Sequence, residues 1–191
     1  MNCVNNSTSN LPELQSWLDN NGGAAVTDGC SSGADSYTWT HDYAGGGIPA
    51  LGTCVNDTTH ILNVTFTATD DCDNTVQTSA RFIVIDTSSP SLSATALDTI
   101  VNCVNNSTGN LPELQNWLDN NGGAAVTDGC SSGAKAYTWT HDYAGGGIPA
   151  LGTCMNDTTH ILNVTFTATD DCDNTVQTLS LIHISEPTRP Y

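Results

Sequence analysis

The sequence predicts an all-β protein built from tandem immunoglobulin-like β-sandwich domains, each with one short helix. Three observations carry that expectation. The chain repeats itself at an interval of 100 residues, too long for a solenoid turn, so each copy is a domain that buries its own core. Within a copy, apolar and polar residues alternate with period two. Glycine-rich turns separate these stretches, and a Trp stands near the middle of one, as in the core of a sandwich domain.

Taken in order, the first element is a helix between Asn10 and Gly22. Asn10 is the cap, Pro12 sits in the first turn, Glu13 follows three residues after the cap, and Leu11, Leu14 and Leu18 form one apolar stripe. Tyr37, Trp39, His41 and Tyr43 then alternate with Thr38, Thr40 and Asp42, which predicts a strand. From Thr59 to Asp70, His60, Leu62, Val64, Phe66 and Ala68 share one face, with Asn63, Thr65, Thr67 and Thr69 on the other. β-branched filling marks this as a half-buried strand. After Asp71-Cys72-Asp73-Asn74 the alternation resumes with Val76, Thr78, Ala80, Phe82 and Val84 pointing inward, completing a hairpin. The stretch Asp86 to Asp98 is polar, holds Pro90 and has little periodicity in its first half, so the unit boundary is expected near Ser88 to Pro90.

Positions 1 to 78 repeat as 101 to 178 with six differences: Met1/Val101, Ser9/Gly109, Ser16/Asn116, Asp35/Lys135, Ser36/Ala136 and Val55/Met155. The expected domains are residues 1–88, with a truncated first strand, and residues 89–191. Both ends fall mid-pattern, so the chain reads as a window cut from a longer array, with Met1 as an alternative start at a Val codon and no signal peptide before it. The final stretch 179–191, LSLIHISEPTRPY, replaces SARFIVIDTSSPS of copy 1 and resembles a translated sequencing adapter. It nevertheless keeps Ile182 and Ile184 in phase with Phe82 and Val84, so it can complete a last strand.

Composition excludes several function classes. Twenty Asp and Glu stand against three Lys and Arg, a formal net charge of -17. Nucleic-acid binding draws its affinity from cationic side chains that displace counterions, and only Arg81, Lys135 and Arg189 are present, so neither nucleic acid nor an anionic membrane surface is an expected partner. No run of about 18 apolar residues exists, so no membrane insertion is expected.

The eight cysteines fall four to a unit: Cys3, Cys30, Cys54 and Cys72, then Cys103, Cys130, Cys154 and Cys172. An even count in a repeated domain predicts two disulfides per unit and an oxidising compartment. Zinc is the competing chemistry, but there is no C-x-x-C pair, and spacings of 27, 24 and 18 are too wide for paired knuckles. Two pairings stay open: Cys30 with Cys72 and Cys3 with Cys54, or Cys3 with Cys30 and Cys54 with Cys72.

Glycosylation sequons occur at Asn5, Asn6, Asn56, Asn63, Asn105, Asn106, Asn156 and Asn163, with Asn63 on the outward face of its strand. Asp70, Asp71 and Asp73, with Asp28 before Cys30, offer hard oxygen ligands from two loops, a candidate calcium site. An Asp-rich turn that only hydrogen-bonds its own backbone is the competing reading. Asp86 and Asp98 around the linker form a weaker candidate of the same kind. For catalysis, His41, His60, Asp42, Ser31 and Ser32 are the available groups, and none falls in a nucleophile-elbow or metal-ligand spacing. An isopeptide crosslink in every unit is disfavoured because Lys135 is replaced by Asp35 in copy 1.

The strings VNCVNNSTGNLPELQNWLDNNGGAAVTDGC, YTWTHDY and VTFTATDDCDNTVQTSARFIVIDTSSP resemble the Ig-like, HYR-type repeats of very large secreted proteins of environmental bacteria, especially Bacteroidota. FTATDDC-x-N and DTSSP carry most of the match. Asp73 and Asp173 stand where the family's turn has Gly. The resemblance covers nearly all of residues 1–178 and implies an extracellular or cell-surface structural role with no catalytic residue to carry over. The function expected is a structural, glycosylated, disulfide-stapled subunit of an extracellular filament whose partners are copies of itself. The alternative is an adhesin stalk recognising glycans, stabilised by calcium. No cofactor is required in either case.

Overall fold

The structure is a computed structural model that describes residues 3, 11–29, 37–102, 111–130, 137–145, 148, 150–155 and 158–185. It divides into two compact units, Met1–Ser88 with Gly129–Lys135, and Ser89–Asp128 with Ala136–Tyr191. The units therefore do not coincide with residues 1–88 and 89–191, because a short piece of the second repeat belongs to unit 1. Each is all-β with one short helix, the fold class that the alternation predicts.

In unit 1, helix α1 (Leu11–Asp19) precedes strands β1 (Thr38–His41), β2 (Ala50–Val55), β3 (Thr58–Thr69) and β4 (Thr75–Ile85). The long hairpin β3–β4 is the frame: the two strands pair antiparallel from Thr69 opposite Thr75 to Thr58 opposite Ile85. β1 and β2 share the other edge of β3, β1 at its C-terminal end and β2 at its N-terminal end. A register shift between Thr58 and His60 breaks the alternation, so Thr59 and His60 are both buried. Thr59 satisfies its hydroxyl by donating to the Val84 carbonyl at 3.3 Å.

The core of unit 1 lies between this sheet and α1. Leu14 and Leu18 of the helix stripe meet Val64, Phe66, Phe82 and Val84 of the hairpin. Trp17 packs edge-on against Phe66 and Phe82, with ring centroids at 5.3 and 5.5 Å. Among the described residues of unit 1, the layer that faces this sheet is the helix. The proposed cap, Asn10, lies outside the described residues. At its other end the helix stops at a short 3-10 turn, Asn21–Gly23, where Asn21 and Gly22 take positive φ values of 53° and 66°. Gly22 is required there twice over: its backbone is left-handed, and a Cβ would stand 2.7 Å from Phe66 Cε2.

Unit 2 contains β5 (Ser91–Ala94), β6 (Thr99–Asn102), α2 (Leu111–Asp119), β7 (Ala125–Thr127), β8 (Thr138–His141), β9 (Ala150–Met155), β10 (Thr158–Thr169) and β11 (Thr175–Ser185). β8, β9, β10 and β11 repeat the unit 1 sheet, and β6 adds a parallel strand to the free edge of β11, with Ile182 opposite Thr99 and Ile184 opposite Val101. β5 and β7 form a separate antiparallel ribbon. Ala96, Leu114, Leu118, Ala124, Leu162, Val164, Phe166 and Ile182 make the core.

The linker Asp86–Asp98 is irregular over residues 86–90, as expected, and carries the short strand Ser91–Ala94 in its second half. Its hydrogen-bond partners are distant in sequence, so local periodicity did not report them. The ribbon shows the same effect: Ala125–Thr127 is a strand, whereas the identical Ala25–Thr27 of unit 1 is not. Two inward assignments also change in unit 1. Val76 and Thr78 are exposed and Ala80 only half-buried, while Val176 is half-buried and Thr178 and Ser180 are buried.

Candidate functional site

Three features hold chemistry: the cysteines, the acidic turn that ends each long strand, and the outward faces that carry sequons.

Cys3 is bonded to Cys130, with Cα atoms 5.9 Å apart and a sequence separation of 127. Both are buried in the unit 1 core. This corrects both pairings expected within a repeat. The physical reason is placement, since Cys130 belongs with unit 1 while Cys3 is held to the hairpin by its amide, which donates to the Ile85 carbonyl at 2.6 Å. Cys54 and Cys172 are also disulfide-bonded. Cys72 is a further correction, being exposed with a free thiol. Cys30 and Cys103 lie outside the described residues, as does the side chain of Cys154.

The turn after β3 is organised by Asp70. Its Oδ1 accepts from the amides of Cys72 and Asn74 at 2.8 Å each, and its Oδ2 accepts from the Asn74 side-chain amide at 2.9 Å. The Asp70 amide in turn donates to the Asn74 carbonyl. Asp73 takes φ = 64° at this turn, so it adopts the left-handed conformation that a Gly would supply more readily. These donors, led by the Asn74 side chain, hold the Asp70 carboxyl below its ordinary value. Asp70 thus does the self-bonding work that was the competing reading of the acidic cluster. Asp28 and Asp70 nonetheless line one open cavity of about 180 Å³ with Tyr37 and Asn74. Asp71 and Asp73 are exposed and do not line it.

In unit 2 the corresponding Asp128 and Asp170 bring carboxylate oxygens within 4.8 Å of one another, and Asp170 is buried. Burial pushes the Tyr137 phenol up, and the charges of Asp128, Asp170 and Asp171 add to that shift. Two close carboxylates repel, and a hard divalent cation relieves that repulsion. Asp86, named with the weaker linker candidates, is fully buried and accepts from the Ser88 amide at 3.0 Å. Asp98 is committed within unit 2, where its Oδ1 accepts from the Leu181 amide and the Ser180 hydroxyl.

Asn63 and Asn163 occupy exposed positions on the outer face of β3 and β10, and Asn56 is exposed at the β2–β3 turn. Asn5, Asn6, Asn105, Asn106 and Asn156 lie outside the described residues. The remaining candidate groups have structural roles. Asp42 accepts from the Thr65 amide at 2.9 Å while its own amide donates to the Thr65 carbonyl, extending the β1–β3 ladder by one residue. His60 is buried against Thr59, with Nδ1 and the hydroxyl 2.9 Å apart, and burial lowers its pKa. His41 is exposed, its ring edge-on to Phe66 at 6.2 Å. Ser31 and Ser32 lie outside the described residues. Among the described residues, no helix is long and apolar enough to cross a membrane.

Among solved structures, the chain is similar to Drosophila N-cadherin EC1-4, at 10% identity and TM-score 0.32 over 81% of this chain and 42% of that one. It is similar to the human desmocollin-1 ectodomain at 7% identity and TM-score 0.24, over 66% and 26%. Zebrafish RET cadherin-like domains 1 to 4 align at 10% identity and TM-score 0.25, over 79% and 42%. The chain spans less than half the length of each. No protein-family model and no curated protein matches it, so the likeness to HYR-type repeats is one of motifs.

Proposed function

We propose that the chain is a structural subunit of an extracellular filament or surface fibre, without enzymatic activity, in which copies of the chain are one another's partners. The observation that carries this reading is the Cys3–Cys130 disulfide, which closes a covalent loop with a sequence separation of 127 inside the core of unit 1. A crosslink of that span stabilises the unit it closes, and near-identical repeats present one surface at regular intervals. Disulfides also favour an extracellular or surface location. Sequons on the exposed strand faces at Asn63 and Asn163 support a glycosylated fibre. The paired carboxylates of Asp128 and Asp170, and the cavity shared by Asp28 and Asp70, support calcium as a stabilising ion.

Electron microscopy of native material tests the reading. Ordered filaments whose axial repeat matches one or two domains, with density branching from Asn63 or Asn163, are expected. Dispersed beads without lateral contacts would overturn it. A second reading, an adhesin module that recognises glycans, is favoured by an open groove in unit 2 where Trp117 and Ile100 stand beside Glu113, Asn116 and Asn120. Aromatic and apolar surface flanked by amide and carboxylate groups suits a saccharide, and binding on a glycan array is the result that supports it.

A further inference from the structure

The groove of unit 2 has two walls that the sequence makes separately. One is a second face of α2: Glu113, Asn116, Trp117 and Asn120 follow the i, i+3, i+4, i+7 spacing that lines up side chains along a helix. That face lies beside the Leu114 and Leu118 stripe that enters the core. The other wall is the segment Leu97–Val101, which is fixed at both ends. The Leu97 amide donates to the Gly122 carbonyl at 2.9 Å, and β6 pairs with β11 from Thr99 onward. Both walls line one open cavity of about 670 Å³.

The groups on these walls select a kind of ligand. Leu97 and Ile100 are 68% and 71% exposed and line the groove together with half-buried Trp117. Trp117 Nε1 already donates to the Leu97 carbonyl at 3.2 Å, so the indole offers the groove only apolar ring surface. Among the described residues that line it, both charged groups are carboxylates, Asp98 and Glu113. The Leu181 amide and the Ser180 hydroxyl both donate to Asp98 Oδ1, which leaves Oδ2 for a ligand, and Glu113 is exposed. The Asn120 side-chain amide donates to the Asn116 carbonyl at 2.7 Å and to Asn116 Oδ1 at 3.1 Å, so its own oxygen is left to accept. Ser16 stands at the Asn116 position in repeat 1, so this amide pair is particular to repeat 2.

We propose that the ligand of this groove is a cationic amino sugar, a hexosamine with an unacetylated amine, an assignment that rests on the glycan reading of the groove. The C–H face of the sugar ring covers Trp117 and Ile100, as in apolar pockets with a few placed polar groups. The ammonium donates to Asp98 Oδ2 and to Glu113 in charge-assisted hydrogen bonds, the stronger kind. Ring hydroxyls meet the Asn116–Asn120 pair, a match that a lysine side chain cannot make. The same carboxylates repel uronic and sialic acids, and the chain's net charge of -17 draws cations to its surface before contact.

The test is a calorimetric titration of the full chain with tetramers of glucosamine, N-acetylglucosamine and galacturonic acid, at a pH where the amine is protonated. The Trp117 indole N–H is followed by NMR alongside. The glucosamine tetramer is expected to bind and to move that resonance, with affinity about tenfold lower for Glu113→Gln or Asp98→Asn. Affinity should be unchanged for Asp73→Asn, which removes an equal charge from an exposed turn outside the groove. Equal binding of the acetylated and unacetylated tetramers would overturn the cationic ligand and leave the glycan reading standing. A loss for Asp73→Asn as large as for Glu113→Gln would reduce binding to counterion attraction and overturn the site. A lysine tetrapeptide that binds as tightly as the glucosamine tetramer would overturn the sugar. Failure of every tetramer, together with an empty glycan array, would overturn the glycan reading and the proposal with it.

Discussion

Replacing Gly22 with alanine separates two costs that usually travel together. The first is conformational: at φ = 66° an L residue costs about 1 kcal/mol more than glycine. The second is steric, because the new methyl would sit 2.7 Å from Phe66 Cε2 and 3.2 Å from the Ala80 methyl. Phe66 is only 1% exposed and is wedged edge-on by Trp17, so the ring has no vacant space to enter. Overpacking of a closed core costs about 1–3 kcal/mol, giving roughly 3 kcal/mol in total for Gly22→Ala. The neighbouring Gly23 has φ = 84° and nothing within 4 Å of an added Cβ, so Gly23→Ala should cost only the conformational part, about 1 kcal/mol. For a domain of this size about 1 kcal/mol lowers Tm by roughly 4–8 °C. Calorimetry of the full chain, with hydrogen exchange at β3 and β4 assigning the unit 1 transition, should show that transition falling by about 12–24 °C for Gly22→Ala and by about 4–8 °C for Gly23→Ala. Equal shifts for the two variants would refute the reasoning, because they would mean that the Phe66 contact has no effect.

Other outcomes follow from the same geometry. Cys130→Ser opens a covalent loop with a sequence separation of 127 and should destabilise unit 1 by up to about 5 kcal/mol on the loop-entropy model; peptide mapping under non-reducing conditions should recover Cys3 joined to Cys130, and a Cys3–Cys30 or Cys3–Cys54 fragment would contradict the structure. His60 is neutral by burial, so its folded pKa lies below its unfolded value. The stability it contributes is present above the unfolded value near 6.5 and is lost as pH falls toward the folded pKa. Denaturation curves between pH 7.5 and 5 should therefore flatten in His60→Gln. Asp70 has a lowered pKa through the Asn74 and Cys72 donors, so the hairpin turn should loosen as pH falls below the ordinary carboxylate value, with carboxyl NMR shifts reporting a titration displaced to lower pH. Asp70→Ala should remove that dependence and increase amide exchange at Cys72 and Asn74.

The long hairpin was legible because both of its signals are local: the alternation of Val64, Phe66 and Ala68 and the turn residues between Asp70 and Asn74 lie within a dozen positions of each other. The helix was legible for the same reason, through the Leu14 and Leu18 stripe. What escaped depended on partners far away in the chain. Ala125–Thr127 and Ala25–Thr27 have one sequence and two structures, so nothing inside the tripeptide distinguishes them; the presence of β5 does. The burial of Thr59 escaped because a register shift places it on the core face beside His60, which was read inward, and strict period two forbids both. Cysteine pairing escaped because counting within a repeat assumes that each repeat closes on itself, and Cys130 does not follow that rule. The acidic turn was read as a cluster, but its geometry singles out Asp70 as the residue that its own loop consumes.

The Cys3–Cys130 bond also bears on how the molecule responds to pulling. Tension applied at the two ends reaches Cys3 and then passes through the sulfur bridge to Cys130, bypassing every residue between them. Both α1 and the whole β3–β4 hairpin lie inside that bypass. Unfolding of unit 1 would then release almost no contour length, and only the chain beyond Cys130 could lengthen, at about 3.3–3.6 Å per residue. A reducing environment would return the residues between Cys3 and Cys130 to the length that can be drawn out, so the thiol state of this pair sets a large share of how far the molecule stretches.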